Sequence, residues 1–278
     1  MNCRLLTEGD KTQAKALWQT CFDDPPAFVD WFFTNRYRPE WSAGAFDGDT
    51  LITAIHGLPM TLSLGEDSFS ALMTSGVATQ PQAWGQGHMH RTMSFLWDYA
   101  RSKGIRALFN HPQRPGAYAR LGFRPSTYTR YWTGAGTFTP GEIAPFSEEA
   151  AFVIYQQAAS RYAGFALRDR DAFHLKMEDY RSDGAKGFLF MEAGRPMGYA
   201  VYFEDKGIYG EEVLSLGEYG PLLRELNQLA QGRQAAAKLP PDVETVGEIR
   251  VQNVMLADED VWAAMTESGR PWFCVDEY

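Results

Sequence analysis

A strand-like segment, two glycines and a helix-like segment follow one another in the stretch VATQPQAWGQGHMHRTM, from Val77 to Met93. Gly85 and Gly87 permit a tight turn there, because a residue without a Cβ adopts backbone angles that other residues avoid. The turn brings the unpaired N–H groups and partial positive charge of a helix N-terminus to the end of a strand. This arrangement indicates an α/β chain and makes the turn a candidate anion site.

Two familiar phosphate-binding motifs do not fit this turn. The glycine spacing of dinucleotide-binding folds is absent, and no Gly-Lys-Ser/Thr follows as it would in a P-loop. His88, His90 and Arg91 add hydrogen-bond donors beside the turn. An isolated Gly-x-Gly is more often an ordinary strand-to-helix connection, so these residues alone leave both a phosphate site and a plain turn open.

Composition and charge narrow the class of protein. The chain has 278 residues, 45% of them hydrophobic, which is enough for two domains with buried cores. A net charge of -9 speaks against nucleic acid and anionic membranes as partners and is compatible with a cationic substrate. The first residues turn acidic at once, unlike a signal peptide, and no apolar run reaches the length of a membrane span. A cytoplasmic protein is expected.

Hydrophobic periodicity predicts two similar series of elements. A stretch rich in Gly and Pro at 135–145 predicts a linker between them, and the repeated order suggests a degenerate duplication. Helices are predicted at 8–22, 25–37, 88–103, 115–123, 148–162, 170–181, 219–234 and 258–268. Strands are predicted at 3–7, 69–79, 105–110, 127–136, 247–256 and 271–278. Residues 42–65 are predicted as two strands joined by an Asp47-Gly48 hairpin turn, and residues 187–216 as three strands separated by turns.

Two motifs together resemble the Gcn5-related N-acetyltransferase (GNAT) family. The family's turn pattern and its later Tyr-x-x-x-Gly-Phe pattern are matched by Val77, Pro81, Gly85 and Gly87, and by Tyr118, Gly122 and Phe123. The leading helices and tandem layout are similar to the subgroup related to the enhanced intracellular survival (Eis) protein. Members of that subgroup usually carry a third, sterol-carrier-like domain, which this sequence is expected to lack.

The resemblance implies a fold class of α/β (α+β) type. It consists of two tandem GNAT-like domains, each a twisted mixed, mostly antiparallel sheet flanked by helices. Residues 1–135 would form the acetyltransferase domain that binds acetyl-CoA. Residues 136–278 would form a degenerate second domain that shapes the acceptor site or a dimer, because Glu218 lies where a phosphate would be needed.

The implied activity is direct acetyl transfer from acetyl-CoA to a primary amine of a small molecule or peptide, without a metal. Another acyl-CoA acyltransferase activity and a non-catalytic coenzyme A or metabolite sensor are the alternatives. The sequence leaves open whether the protein forms a homodimer. His88 and His90 do not suggest a metal site, because side chains two apart on a helix point to different sides.

Individual residues receive roles from the resemblance. The backbone of Val77, Ala78 and Thr79 would hold the pantetheine arm, and Asn110 would reach the same arm. The pyrophosphate would be bound by Gly85, Gln86, Gly87, His88, Met89 and His90. Tyr118 would protonate the leaving thiolate as general acid, a role suited to a phenol. Trp84 departs from the family, which usually has arginine there.

The proton acceptor for the amine is less defined by the sequence. Some relatives use the carboxylate of their own C-terminus, which here makes Tyr278 the tentative base. His56, Glu211, Glu212, Asp276 and Glu277 are further candidates, each with an ordinary structural alternative such as a packed core histidine or a solvated carboxylate.

Overall fold

One sheet runs through both halves of the chain. The computed structural model describes residues 2–65, 67–112, 116–134, 141–205 and 207–276, and thirteen strands in these ranges belong to this sheet. They are β1 (Asn2–Leu5), β2 (Ala43–Asp47), β3 (Thr50–Leu64), β4 (Asp67–Thr79), β5 (Ala107–Asn110), β6 (Arg124–Thr133), β7 (Glu142–Pro145), β8 (Ala163–Ala166), β9 (Lys186–Glu192), β10 (Arg195–Phe203), β11 (Ile208–Ser215), β12 (Ala235–Leu239) and β13 (Glu248–Ala257).

Eight helices in the same ranges accompany the strands. They are α1 (Lys11–Cys21), α2 (Pro26–Asn35), α3 (His88–Ser102), α4 (Gly116–Ala119), α5 (Glu148–Ala159), α6 (Arg170–Ser182), α7 (Gly220–Leu229) and α8 (Glu259–Glu267). The strand pairs are antiparallel except β4–β5 and β11–β12. This confirms the predicted fold class, a mixed and mostly antiparallel sheet flanked by helices. None of these eight helices is long and apolar enough to cross a lipid bilayer.

Each half contains one parallel strand pair in an equivalent position. In the first half, β4 leads through α3 to β5, and in the second, β11 leads through α7 to β12. An antiparallel strand precedes each unit, β3 in the first half and β10 in the second. This repeated order agrees with the duplication suggested by the sequence.

The two halves exchange strands in the middle of the sheet. The strand order is β1-β2-β3-β4-β5-β13-β6-β12-β11-β10-β9-β7, with β8 paired to β3. Thus β13, from the second half, lies between β5 and β6 of the first, while β6 contacts β12 of the second. The division into 1–135 and 136–278 stays a prediction, but the sheet is continuous across it.

Local signals predicted most elements of the first half. Gly48 has φ 57° in the turn after Asp47, and Gly104 has φ 83° just beyond α3, as a hairpin turn and a helix end require. One face of α3 is buried through Met93, Leu96 and Ala100. The predicted hairpin and helix are confirmed.

Three predictions about the second half are wrong or incomplete. The linker at 135–145 contains β7, which pairs with β9; residues 135–140 lie outside the described ranges. The last predicted strand, 271–278, is reduced to one bridge between Trp272 and Ala163 in its described part. Strands β8 and β12 were not predicted. The latter is alanine-rich, and its strand conformation comes from pairing with β6 and β11 rather than from intrinsic propensity.

Candidate active site

The two parallel strands of the first half separate at one end. Their register runs from Ala71 opposite Ala107 to Thr74 opposite Asn110, where β5 ends, while β4 continues to Thr79. Just beyond this point β4 contains an extra residue relative to β3, a β-bulge between Ser75 and Ala78. The end of β4 therefore diverges from β5 and leaves a gap at the edge of both strands.

A glycine in the bulge lets a helix approach the gap closely. Gly76 has φ 52°, and a Cβ on it would lie 2.2 Å from Cζ3 of Trp18 in α1. The Trp18 indole N–H donates a 2.7 Å hydrogen bond to Oδ2 of Asp24. Both side chains are thereby fixed against the gap, one apolar and one anionic.

A cavity of about 350 Å³ occupies the gap between the strands. Its walls come from α1 and the segment after it, from β4, from the end of β5, and from α3 and α4. The lining residues are Trp18, Phe22, Asp24, Thr74, Gly76, Val77, Met89, Asn110, His111, Ala117 and Tyr118. We call this space the first cavity.

The Gly-x-Gly turn lies between β4 and α3. Gly85 and Gly87 have φ 76° and 75°, and Gly87 is the left-handed residue that begins α3. A Cβ at Gly85 would meet open space, so backbone conformation is what requires glycine there. Trp84 is 65% exposed and donates its indole N–H to the Thr79 carbonyl at 2.7 Å. The tryptophan thus lies over the turn where the family has arginine.

The two histidines of the turn make separate contacts. A guanidinium can only donate, so Nδ1 of His88 accepts the 2.7 Å hydrogen bond from Arg91. His90 Nε2 lies 3.1 Å from the Ala117 carbonyl and ties α3 to α4. Their rings do not converge, and the described part of the chain contains no group of three or more His, Cys, Asp or Glu able to hold a metal ion.

Asn110 presents a buried and unused acceptor. It is 2% exposed, and its Nδ2 donates to the Thr74 carbonyl at 3.1 Å and to Thr74 Oγ1 at 2.8 Å. Its Oδ1 has no hydrogen-bond partner among the described residues. A buried carbonyl oxygen without a donor costs about 1–3 kcal/mol, so a ligand N–H in the cavity would stabilise the site.

Tyr118 lies in α4 and is 9% exposed. Its ring packs edge-on against Phe123, with the centroids 5.5 Å apart. Burial raises the pKa of Tyr118 to about 12, partly opposed by the neighbouring Asn110 side chain. The phenol therefore keeps its proton at neutral pH.

The predicted site residues gather in two places. Val77, Met89, Asn110 and Tyr118 line the first cavity. The turn and first helical turn hold the predicted pyrophosphate residues Gly85, Gln86, Gly87, His88 and His90. Ala78 is buried, and the Thr79 carbonyl already accepts from Trp84 and from the Cys21 thiol. The roles assigned to these residues stay predictions.

Two candidate bases are parts of a buried ion network. Glu212 is fully buried, accepts both terminal nitrogens of Arg168 at 3.1 and 2.9 Å, and also accepts the hydroxyls of Tyr180 and Tyr199. Asp276 binds the same arginine at 3.0 Å. These contacts indicate a structural role for both carboxylates.

The remaining candidate bases lie in different environments. His56 is 1% exposed within a ring of aromatic side chains, and burial lowers its pKa to about 3. Glu211 binds Lys238 at 2.8 Å and lines a second cavity. Tyr278 and Glu277 lie outside the described residues.

The second cavity adjoins the first and has a volume of about 270 Å³. It is lined by Phe28, His111, Lys176, Asp179, Tyr180, Asp183, Phe203 and Glu211, so most of its wall comes from the second half of the chain. His111 is common to both cavities. His111 is not among the site residues predicted from the sequence; its position directly after Asn110, at the end of β5, is the signal that points to it.

The separated strands β4 and β5, the glycine turn and the buried Tyr118 all lie within one segment that matches a known family. Residues 2–126 match the family described as acetyltransferase (GNAT) domain. The first half of the chain therefore matches a GNAT acetyltransferase domain, which supports an acyltransferase. This confirms the resemblance noted in the sequence.

Solved structures show the same fold across both halves. Eis1 from Mycobacterium abscessus is 17% identical with a TM-score of 0.69, over 92% of this chain and 74% of that one. A conserved protein from Enterococcus faecalis V583 is 14% identical with a TM-score of 0.74, over 92% and 72%. A GCN5-related N-acetyltransferase from Kribbella flavida is 16% identical with a TM-score of 0.67, over 92% and 70%. No curated protein matches the sequence. These likenesses concern the fold, and they agree with a tandem arrangement.

Proposed function

We propose that this acyltransferase moves an acetyl group directly from acetyl-CoA to a primary amine of a cationic acceptor. One observation carries the proposal: the buried Tyr118 and Asn110, whose Oδ1 has no partner among the described residues, both line the cavity where β4 and β5 separate. The first group can supply a proton, and the second can bind an amide N–H.

The residues present fit acetyl-CoA, which supplies the acetyl thioester. An amide N–H of the pantetheine arm would satisfy Oδ1 of Asn110. The N-terminus of α3 after Gly87 offers backbone N–H groups and a partial positive charge to the diphosphate. These groups suit an acidic protein, because they bind an anion largely without basic side chains.

Tyr118 has the protonation state that a general acid needs. With its pKa raised to about 12, the phenol is protonated at neutral pH and can donate to a thiolate as the carbon–sulfur bond breaks. Its neighbour Ala117 also lines the cavity, so α4 presents this hydroxyl beside the space for the thioester.

The second cavity favours a cationic acceptor. Its carboxylates are Asp179, Asp183 and Glu211. Lys176 lies 3.1 Å from Asp179, and Lys238 lies 2.8 Å from Glu211. Burial, and then the charges of Asp179, Asp24 and Glu211, raise the pKa of Asp183. The electrostatic part of this shift comes from the neighbouring carboxylates, partly offset by Lys176, and a bound ammonium would relieve their repulsion.

Calorimetry and a thiol-release assay test this function. The parent protein is expected to bind coenzyme A and to release thiol from acetyl-CoA in the presence of at least one member of a panel of linear and cyclic polyamines. Tyr118→Phe should bind coenzyme A as the parent does and lose about 100- to 10,000-fold in kcat. Tyr99→Phe, a tyrosine of α3 packed on Trp41, is the matched control.

Two outcomes would contradict the proposal. Absence of coenzyme A binding at millimolar concentration excludes acyl-CoA as the donor. Full activity of Tyr118→Phe excludes the phenol as the acid. Replacing acetyl-CoA by propionyl- and butyryl-CoA in the same assay tests whether a longer acyl group is preferred.

A further inference from the structure

We propose that His111 accepts the proton which the acceptor amine must lose, an inference that rests on the proposed amine acetylation. His111 follows Asn110 at the end of β5, and its side chain lines both cavities. The first cavity also contains Tyr118, and the second contains the carboxylates expected to hold the ammonium. His111 is therefore the residue shared by the cavity that contains Tyr118 and the cavity that contains the carboxylates.

A β-bulge in the exchanged strand fixes the tautomer of His111. In the pairing of β13 with β6, Val251 lies opposite Tyr128 and Asn253 lies opposite Thr127. Gln252 is therefore an extra residue in β13 at this point of the strand register. Its carbonyl oxygen lies 2.7 Å from Nδ1 of His111. A carbonyl can only accept, so Nδ1 carries the hydrogen and Nε2 of the neutral ring is the basic nitrogen.

The surroundings keep the ring neutral before reaction. Burial and the positive charge of Lys238 lower the pKa of His111, and they outweigh the opposite effects of the Gln252 carbonyl and Glu211. Among the described residues that line the two cavities, the other titratable groups are Asp24, Tyr118, Lys176, Asp179, Tyr180 and Asp183. At neutral pH the imidazole is thus uncharged, and its Nε2 can accept a proton.

The proton balance of the transfer then closes. One proton of the ammonium passes to Nε2 of His111, and the nitrogen lone pair so released forms the bond to the carbonyl carbon. As the carbon–sulfur bond breaks, Tyr118 gives its proton to sulfur. The amine nitrogen then loses a second proton, which returns to the Tyr118 oxygen directly or through water. His111 releases its proton to solvent.

Nitrogen NMR of the histidine rings tests the assignment without any substrate. The protein has five histidines, and His111→Asn identifies the signals of this ring by their disappearance. The expected result is an Nδ1-protonated neutral ring with a titration midpoint below the ordinary value of about 6.5. A neutral ring protonated on Nε2, or a midpoint above that value, would overturn the proposal.

Kinetics separate a proton acceptor from a structural residue. His111→Asn keeps an N–H donor for the Gln252 carbonyl but has no basic nitrogen. We expect its kcat/KM to fall about 100- to 10,000-fold with coenzyme A affinity unchanged. The loss should shrink for a β,β-difluorinated analogue of the best amine in the polyamine panel, because that ammonium gives up its proton more readily. His174→Asn, at the surface of α6, is the matched control.

Each outcome decides something definite. An equal loss for both amines, or a His111→Asn enzyme as fast as the parent, overturns the proton acceptor and leaves the proposed function standing. A parent that acetylates no amine overturns the proposed function and the proton acceptor together. Rescue of His111→Gly by added imidazole would support the role, since a merely structural histidine would not be replaced by a diffusing base.

Discussion

Replacing His56 should change how the protein's stability depends on pH. This ring is enclosed by aromatic side chains at centroid distances of 5.3 Å to Phe33, 5.6 Å to Trp18, 5.7 Å to Phe32 and 5.7 Å to Tyr37. Neither of its nitrogens has a hydrogen-bond partner among the described residues. A charge at this position has no compensating contact, which is why burial lowers the pKa to about 3.

The magnitude follows from the difference between folded and unfolded pKa values. The unfolded imidazole titrates near 6.5 and takes up a proton below that pH, while the folded ring stays neutral down to about 3. The folded state therefore keeps its full stability above pH 6.5 and loses about 1.4 kcal/mol for each pH unit below it. At pH 4.5 the loss is about 3 kcal/mol.

Urea unfolding of the parent and His56→Leu between pH 7.5 and 4.5 measures this loss. Leucine has a similar volume and no titrating group, so its free energy of unfolding should fall less steeply on acidification, by about 1.4 kcal/mol per pH unit between pH 6 and 4.5. His174→Asn, which removes a surface histidine, should follow the parent. Parallel pH profiles for the parent and His56→Leu would refute the account of a neutral, unpaired core histidine.

Two further substitutions test other features of the structure. Trp84→Arg places a cation at an exposed position of the glycine turn. We expect coenzyme A affinity to rise about 5- to 10-fold, while the free energy of unfolding changes by less than about 0.5 kcal/mol. An unchanged Kd in calorimetry would contradict the diphosphate site. Glu212→Gln removes one of the two buried negative charges that contact Arg168. The free energy of unfolding, measured in urea, should fall by about 3–5 kcal/mol. A loss below about 1 kcal/mol would show that Asp276 alone compensates the arginine.

The sequence predicted the features that depend on neighbours along the chain. The glycines at 85 and 87 need left-handed backbone angles, and the apolar face of α3 repeats at helical spacing, so the turn and helix are legible in a short window. The same window, with Tyr118 and Asn110 shortly after it, contains much of the first cavity. Local pattern was sufficient for this part of the wall because β4, α3, β5 and α4 are consecutive in the chain.

Features that depend on distant segments were not predicted. His111 acquires its tautomer from Gln252, which is 141 residues away, and the second cavity combines Phe28 with residues of α6 and β11. The alanines of β12 would suit a helix in isolation, and only strand pairing makes them extended. Spacing along the chain contains no information about such contacts.

The exchange of β6 and β13 also sets an order of events during synthesis. Pairing of strands that are distant in sequence requires the loss of loop-closure entropy before the stabilising contacts form. Strand β13 must lie between β5 and β6, so this part of the sheet cannot form until residue 257 has been synthesised. Until then a nascent chain exposes the unpaired edges of both strands, where other chains could add. The first half of the chain is therefore translated first, but its sheet is completed last.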